Sequence, residues 1–259
     1  MATTREFRSG DRVVVIRESG VADGPDYVLV HGLGMAHEYW NGLADVLEAS
    51  GTVYALDLPG FGDAPEPPSP LSMAESGELV AELLVAEGID HPVLIGHSTG
   101  AQVVSETAAR HPDLVDRIVL IGPTVNPRER SLGLQSLRFL QDIALLHPKT
   151  LAIGLASYAE AGPRWYVANL RPMLEHSIEL TLPRIEADVL QDRVLEAQRH
   201  VFQVDDDFIG QRTWSRIRIV LRFVVPQLLA DRIPMLIEFL CFGFAHYIIP
   251  VAAALTTAA

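Results

Sequence analysis

The sequence predicts an α/β fold: a mostly parallel, doubly wound sheet interrupted by a helical insertion. Three observations carry this. Strand-like runs alternate with helical periodicity through the first half of the 259 residues. The runs are continuously apolar, as in parallel strands covered on both faces. Between 127 and 184 the strands vanish and helical spacing takes over. The alternation means βαβ units joined by right-handed crossovers.

In chain order, residues 11–17 (DRVVVIR) read as a short strand, and 26–31 (DYVLVH) as an apolar strand stopping at Gly32. Trp40, Leu43, Val46 and Leu47 give 37–49 helical spacing. Residues 52–56 (TVYAL) form the next strand, followed by DLPGFG at 57–62 and a polar, proline-rich loop over 63–70. Residues 72–86 form a helix in which Ser72 and Glu75 have the spacing of a capping box. A strand at 92–96, a helix at 98–110 and a strand at 117–122 follow. In the helical block, Leu132, Leu137, Leu140 and Ala144 share one face, Leu151, Leu155 and Tyr158 another, and a third helix runs near Trp165 to His176. Beyond it, 189–199 reads as helical, 201–204 as a short strand and 235–242 as the last strand.

Composition narrows the function. Acids outnumber bases 33 to 20, a net charge of −13, which excludes a binder of the nucleic-acid backbone. The single cysteine, Cys241, excludes an internal disulfide framework and a cysteine-based zinc cluster. The first twelve residues contain no apolar core of a signal peptide, so a cytoplasmic protein is expected. Residues 239–259 contain no Asp, Glu, Lys or Arg, which makes them a candidate for membrane contact. Gly243, His246 and Pro250 within them suit a strand, a loop and a new helix better. No H-x-x-x-H, H-E-x-x-H, G-x-G-x-x-G or Walker pattern occurs, so no metal, nucleotide or other cofactor is expected.

Gly96-His97-Ser98-Thr99-Gly100 follows a strand and opens a helix. G-x-S-x-G in that context is a nucleophile elbow. A serine at so tight a turn projects its hydroxyl above the sheet. The flanking glycines remove the Cβ atoms that would keep strand and helix apart. The helix N-terminus supplies free N–H groups and a positive dipole end. His31-Gly32-Leu33-Gly34-Met35 follows an earlier strand and can aim a backbone N–H at the same point. Leu33 and Thr99 N–H are therefore the expected oxyanion donors. His31 is read as a structural residue that hydrogen-bonds and holds its loop, and Asp57 as structural rather than catalytic.

With VHGLG at 30–34, DLPGFG at 57–62, GHSTG at 96–100 and RIVLIGP at 117–123, the chain resembles the α/β-hydrolase superfamily, in particular its small bacterial serine hydrolases. LPRIEA at 182–187, the usual lead into the next strand, extends the resemblance over about residues 10–187. The resemblance implies an eight-stranded sheet with core domain 1–126 and 185–259, and a helical cap at 127–184. It also implies a Ser–acid–His triad in chain order. Ser98 is then the nucleophile, and His246, after the last apolar strand in a G-x-x-H loop, the base. Asp207, at the end of the Asp205-Asp206-Asp207 run and followed by two apolar residues, is the acid, with Asp205 and Asp206 as rivals. The implied activity is cleavage of carboxylic esters or related acyl compounds, with a small-molecule acyl substrate. The alternatives are haloperoxidase-like or C–C bond hydrolase chemistry on the same fold, or a non-catalytic protein with a disrupted acid and histidine region. The chain departs from the family habit between 188 and 245, where Asp207 and His246 stand 39 residues apart.

Overall fold

The computed structural model describes residues 2–123, 131, 133 and 162–192. In chain order the strands are β1 (Thr3–Ser9), β2 (Arg12–Gly20), β3 (Asp26–Val30), β4 (Thr52–Asp57), β5 (Val93–His97), β6 (Arg117–Ile121) and β7 (Asp188–Asp192). The helices are α1 (Asn41–Leu47), α2 (Met73–Glu87), α3 (Thr99–Arg110), α4 (Pro163–Glu175) and α5 (Ile178–Thr181). A 3-10 turn (His37–Trp40) leads into α1, so the helix expected over 37–49 is split and ends earlier.

The seven strands form one sheet in the order β1-β2-β4-β3-β5-β6-β7. The β1–β2 and β2–β4 pairs are antiparallel, and the remaining four are parallel. Neighbouring residues of a strand serve opposite faces. Val28 and Val30 enter one core cluster with Leu56, Leu94, Leu120 and the buried faces of α2 and α3. Leu29 enters the other, with Val53, Ile95 and the α1 residues Leu43 and Leu47. Both faces are thus covered, which is why these strands read as continuous apolar runs.

The capping box of α2 forms as its spacing implies. Glu75 N–H donates to Ser72 Oγ at 3.2 Å, and Ser72 N–H donates to Glu75 Oε2 at 2.8 Å. Gly77 lets α2 lie against α3, since a Cβ there would stand 2.9 Å from the Thr107 backbone nitrogen.

Two strands also differ from the sequence reading. β1, with the sequence TTREFRS, has one large apolar residue and escapes a search for apolar runs. It forms as an edge strand by pairing with β2, and Arg5 adds ion pairs to Glu18 and Glu87. Residues 188–192 form β7, as the resemblance of LPRIEA to a lead into the next strand implies and against the helical spacing read from 189 on. The free edge of β6 offers them a parallel ladder, and Asp188 N–H bonds Asp116 O at 2.7 Å, so tertiary pairing overrides local propensity. Seven strands are present among the described residues, against the eight expected. The expected strands at 201–204 and 235–242, the helices over 132–158, most of the 127–184 insertion, Asp205, Asp206, Asp207, His246 and the 239–259 run lie outside the described residues. Among the described residues, no helix is long and apolar enough to cross a membrane.

Candidate active site

The parallel strands all end at one edge of the sheet, and the tight turn between β5 and α3 sits there. Ser98 occupies that turn with φ 54° and ψ −116°, a conformation that side chains rarely tolerate. The surroundings hold it there. Its N–H donates to Ile121 O on β6 at 2.9 Å. A Cβ at Gly96 would meet Gly100 O at 2.4 Å, and one at Gly100 would meet Val30 O at 2.1 Å. The expected need for glycine at both positions is therefore a matter of direct contact. Ser98 is partly exposed among buried neighbours.

Gly32 faces the serine: a Cβ there would stand 3.2 Å from Ser98 Cβ. Leu33 follows it, and Thr99 is the first residue of α3, where a helix has no internal acceptor for the N–H. Both line a cavity of about 30 Å³ with Gly32, Leu58, Phe61, Met73, Val103 and Asn169. That is room for one or two water-sized groups. The walls are mainly apolar.

His31 is held as expected of a structural residue. Its Nδ1 lies 2.8 Å from Gly32 O, and its Nε2 accepts Leu58 N–H at 3.1 Å. The two bonds fix a neutral ring protonated on Nδ1. Burial, the largest influence, lowers its pKa. The ring ties the Gly32-Leu33 turn to the DLPGFG turn.

Asp57 carries the same junction from below. It is fully buried and accepts His37 N–H at 2.7 Å, His37 Nδ1 at 3.0 Å and Asp63 N–H at 3.2 Å. Burial alone would raise its pKa, but the His37 hydrogen bonds and the neighbouring imidazoles outweigh it and hold the carboxyl below its usual range. With Glu38, His37 and Asp57 form a group whose ligand atoms lie within 4.8 Å of one another. The protein's own donors already occupy Asp57, so the arrangement is that of a loop brace rather than a metal cage.

His97 contributes no wall to the cavity. Its ring is buried and stacked on Tyr39, with centroids 4.8 Å apart. Burial, with the nearby His31, pushes its pKa down to about 4.

A second polar cluster, unread in the sequence, lies further along α3. Gln102 and Glu106 follow Ser98 by one and two helical turns and are both buried. Gln102 Nε2 donates to Met173 O at 3.1 Å. Glu106 accepts from Thr181 Oγ1 at 2.6 Å, Arg110 Nε at 2.8 Å and His176 Nε2 at 2.9 Å. The His176 bond is the largest influence on a carboxyl whose pKa falls to about 2. A glutamine and a glutamate four apart, and so on one face of the helix, were the available sequence signal. Asp192 was also unread. It ends β7 in register with Ile121, at the edge that carries Ser98.

Among proteins of known sequence, the chain is 37% identical over 98 residues to a pimeloyl-[acyl-carrier protein] methyl ester esterase of Vibrio atlanticus. The match spans 38% of this chain and 36% of that relative's length. Among solved structures, a hydrolase from Pseudomonas aeruginosa superposes with a TM-score of 0.61 at 22% identity, over 73% of this chain and 79% of that one. An esterase from Thermogutta terrifontis superposes with a TM-score of 0.60 at 20% identity, over 74% and 79%. Identities this low speak for the fold alone. The family model described as the alpha/beta hydrolase fold matches residues 28–180, more than half of the chain. With the sheet order and the turn at Ser98, this match means that the chain belongs to the alpha/beta hydrolase fold family.

Proposed function

We propose that the protein is a serine hydrolase of carboxylic esters or related acyl compounds. The observation that carries this is the Ser98 turn: a strained, partly exposed serine at the start of a helix, packed against Gly32 and next in sequence to Thr99, which lines the cavity with Gly32 and Leu33. Strain of this kind costs on the order of 1–3 kcal/mol and persists where the surroundings enforce it. Here it lifts one hydroxyl out of a buried turn.

In this reading Ser98 Oγ attacks the carbonyl carbon while His246 takes its proton. The carbonyl oxygen, now negative, receives the N–H groups of Leu33 and Thr99. Collapse expels the alcohol, which leaves with the proton from His246. Water, deprotonated by the same histidine, then releases the acid and restores Ser98. Asp207 orients His246 and balances the imidazolium. A second assignment of the acid rests on one observation: β7 places Asp192 at the edge that carries Ser98. Asp207→Asn and Asp192→Asn, assayed side by side, decide between them by which loses activity.

Residues 127–184 act as a cap over the core formed by 1–126 and 185–259. α4, whose Asn169 reaches the cavity, supports that role. The apolar walls favour a small or medium apolar acyl group, and the esterase relative makes a methyl ester on an acyl chain a natural first substrate. We place the reaction in the cytoplasm.

The decisive experiment is to treat the folded protein with a fluorophosphonate, weigh it intact and map the adduct. One adduct at Ser98, lost in His246→Ala, is the expected result. A cooperatively folded protein that takes no label overturns the catalytic reading in favour of a non-catalytic role on the same fold.

A further inference from the structure

The helix that begins at Ser98 also carries the cap. Gln102 grips the carbonyl of Met173, near the end of α4, and Asn169, one turn earlier on α4, lines the cavity beside Thr99. Glu106 grips the chain just beyond, through His176 and Thr181. Gln102, Glu106 and Thr181 are buried and His176 is largely so, so these bonds are mostly shielded from bulk water, which replaces a missing partner poorly there. Elsewhere α4 is held by contacts of a different kind: Trp165 and Met173 join the main apolar core, with Leu170 and Leu174 packed against it. Trp165 lies on Gly60, with a would-be Cβ 2.1 Å from its Nε1, and Arg164 pairs with Glu66 at the exposed surface.

We propose that Gln102 and Glu106 are positioning residues that set the depth of α4 over the nucleophile, and through Asn169 the length of acyl chain the site accepts. The inference rests on the hydrolase reading above. The linkage runs through rigid elements. One turn of α3 separates Ser98 from Gln102, one hydrogen bond joins Gln102 to α4, and one turn of α4 separates Met173 from Asn169. A shift of α4 therefore moves Asn169 against a cavity of only about 30 Å³, where a displacement of one methylene width changes what fits. The carbonyl of a very short ester sits at Ser98 and reaches little of this wall. A longer acyl chain must pass it.

The test uses the full chain with two variants, Glu106→Gln and Gln102→Leu, so that one remains if the other does not fold. p-Nitrophenyl acetate and p-nitrophenyl hexanoate are the substrates, and amide hydrogen exchange over 163–181 is the second readout. In each variant, exchange over 163–181 should speed up at least tenfold while α2 stays protected. The hexanoate-to-acetate ratio of kcat/KM should change at least tenfold, through KM rather than kcat. Unchanged exchange over 163–181 in a folded variant overturns the proposal whatever the activity. Faster exchange with an unchanged chain-length ratio, or an equal loss on both esters, overturns it too, because the bonds are then merely structural. Failure of the hydrolase reading shows separately, as a wild-type protein that cleaves neither ester, and removes the proposal's basis.

Discussion

Two buried carboxylates flank the Ser98 turn, and they hold their surroundings in different ways. Asp57 accepts two backbone N–H groups and one imidazole, all from residues within twenty positions of it in the chain. Glu106 accepts three side-chain donors, two of them 70 and 75 positions away. The first fixes a loop whose backbone cannot turn elsewhere. The second clasps a separate helical segment whose side chains can find other partners. A brace made of backbone donors sets geometry, and one made of side-chain donors sets docking.

The largest expected effect tests what both braces serve. Ser98→Ala should lower ester cleavage by at least about 10⁴-fold and abolish fluorophosphonate labelling. The fold should remain, because the turn is enforced by Gly96, Gly100 and the bond to Ile121 O rather than by the hydroxyl. Residual activity near wild type would place the nucleophile elsewhere.

The two carboxylates separate in the next pair. Asp57→Asn turns an amide N–H₂ toward donors that have no other acceptor, at a cost of about 3–5 kcal/mol. Denaturant unfolding should show that loss together with reduced turnover on every ester, since the Gly32-Leu33 turn is tied to the same loop. Glu106→Gln should cost less, about 1–3 kcal/mol, because Thr181 and His176 already lie 3.4 Å apart and can partner each other. Equal losses would mean that backbone and side-chain donors are equivalent here.

Acid separates the two regions by pH. His97 has a folded pKa lowered from 6.5 to about 4, so the unfolded chain takes its proton first, and stability falls as pH drops from about 6.5 to 4. Glu106 is lowered from 4.5 to about 2, so its contribution is complete above about 4.5 and fades toward 2. Each shift corresponds to about 3 kcal/mol at most. Stability measured against pH should therefore decline in two stages, the first from the elbow side. His97→Phe, which preserves stacking on Tyr39, should flatten the first stage and leave the second. A first stage that survives in His97→Phe would assign it to another group, His31 first, since burial lowers that ring as well.

The same division decides what could be read from the sequence. Residues 96–100 announce the elbow because its parts are contiguous: the glycines, the serine and the helix start are one local event. The loop brace is nearly as legible, since His31 and Asp57 sit at the ends of adjacent parallel strands whose apolar runs are plain. Glu106 is not legible, because its meaning depends on which distant segment returns to α3. The helical spacing at β7 misleads for the same reason. DVLQD is a strand only because β6 stands open beside it. The base and acid assigned at His246 and Asp207 stand on sequence resemblance alone.

The smallest expected effect marks the limit of the clasp on the cap side. Arg164 and Glu66 pair at 3.0 Å across the junction of α4 with the loop after β4, but the arginine side chain is 87% exposed. Exposed pairs of this kind contribute about 0–1 kcal/mol, since water solvates both partners nearly as well when they separate. Arg164→Ala should leave unfolding within about 0.5 kcal/mol of wild type and leave the hexanoate-to-acetate ratio unchanged. It is thus the control for Gln102→Leu, which touches the same helix from the buried side. If Arg164→Ala shifts the chain-length ratio as much as Gln102→Leu does, α4 responds to any loosening, and the distinction between a buried clasp and a surface contact fails.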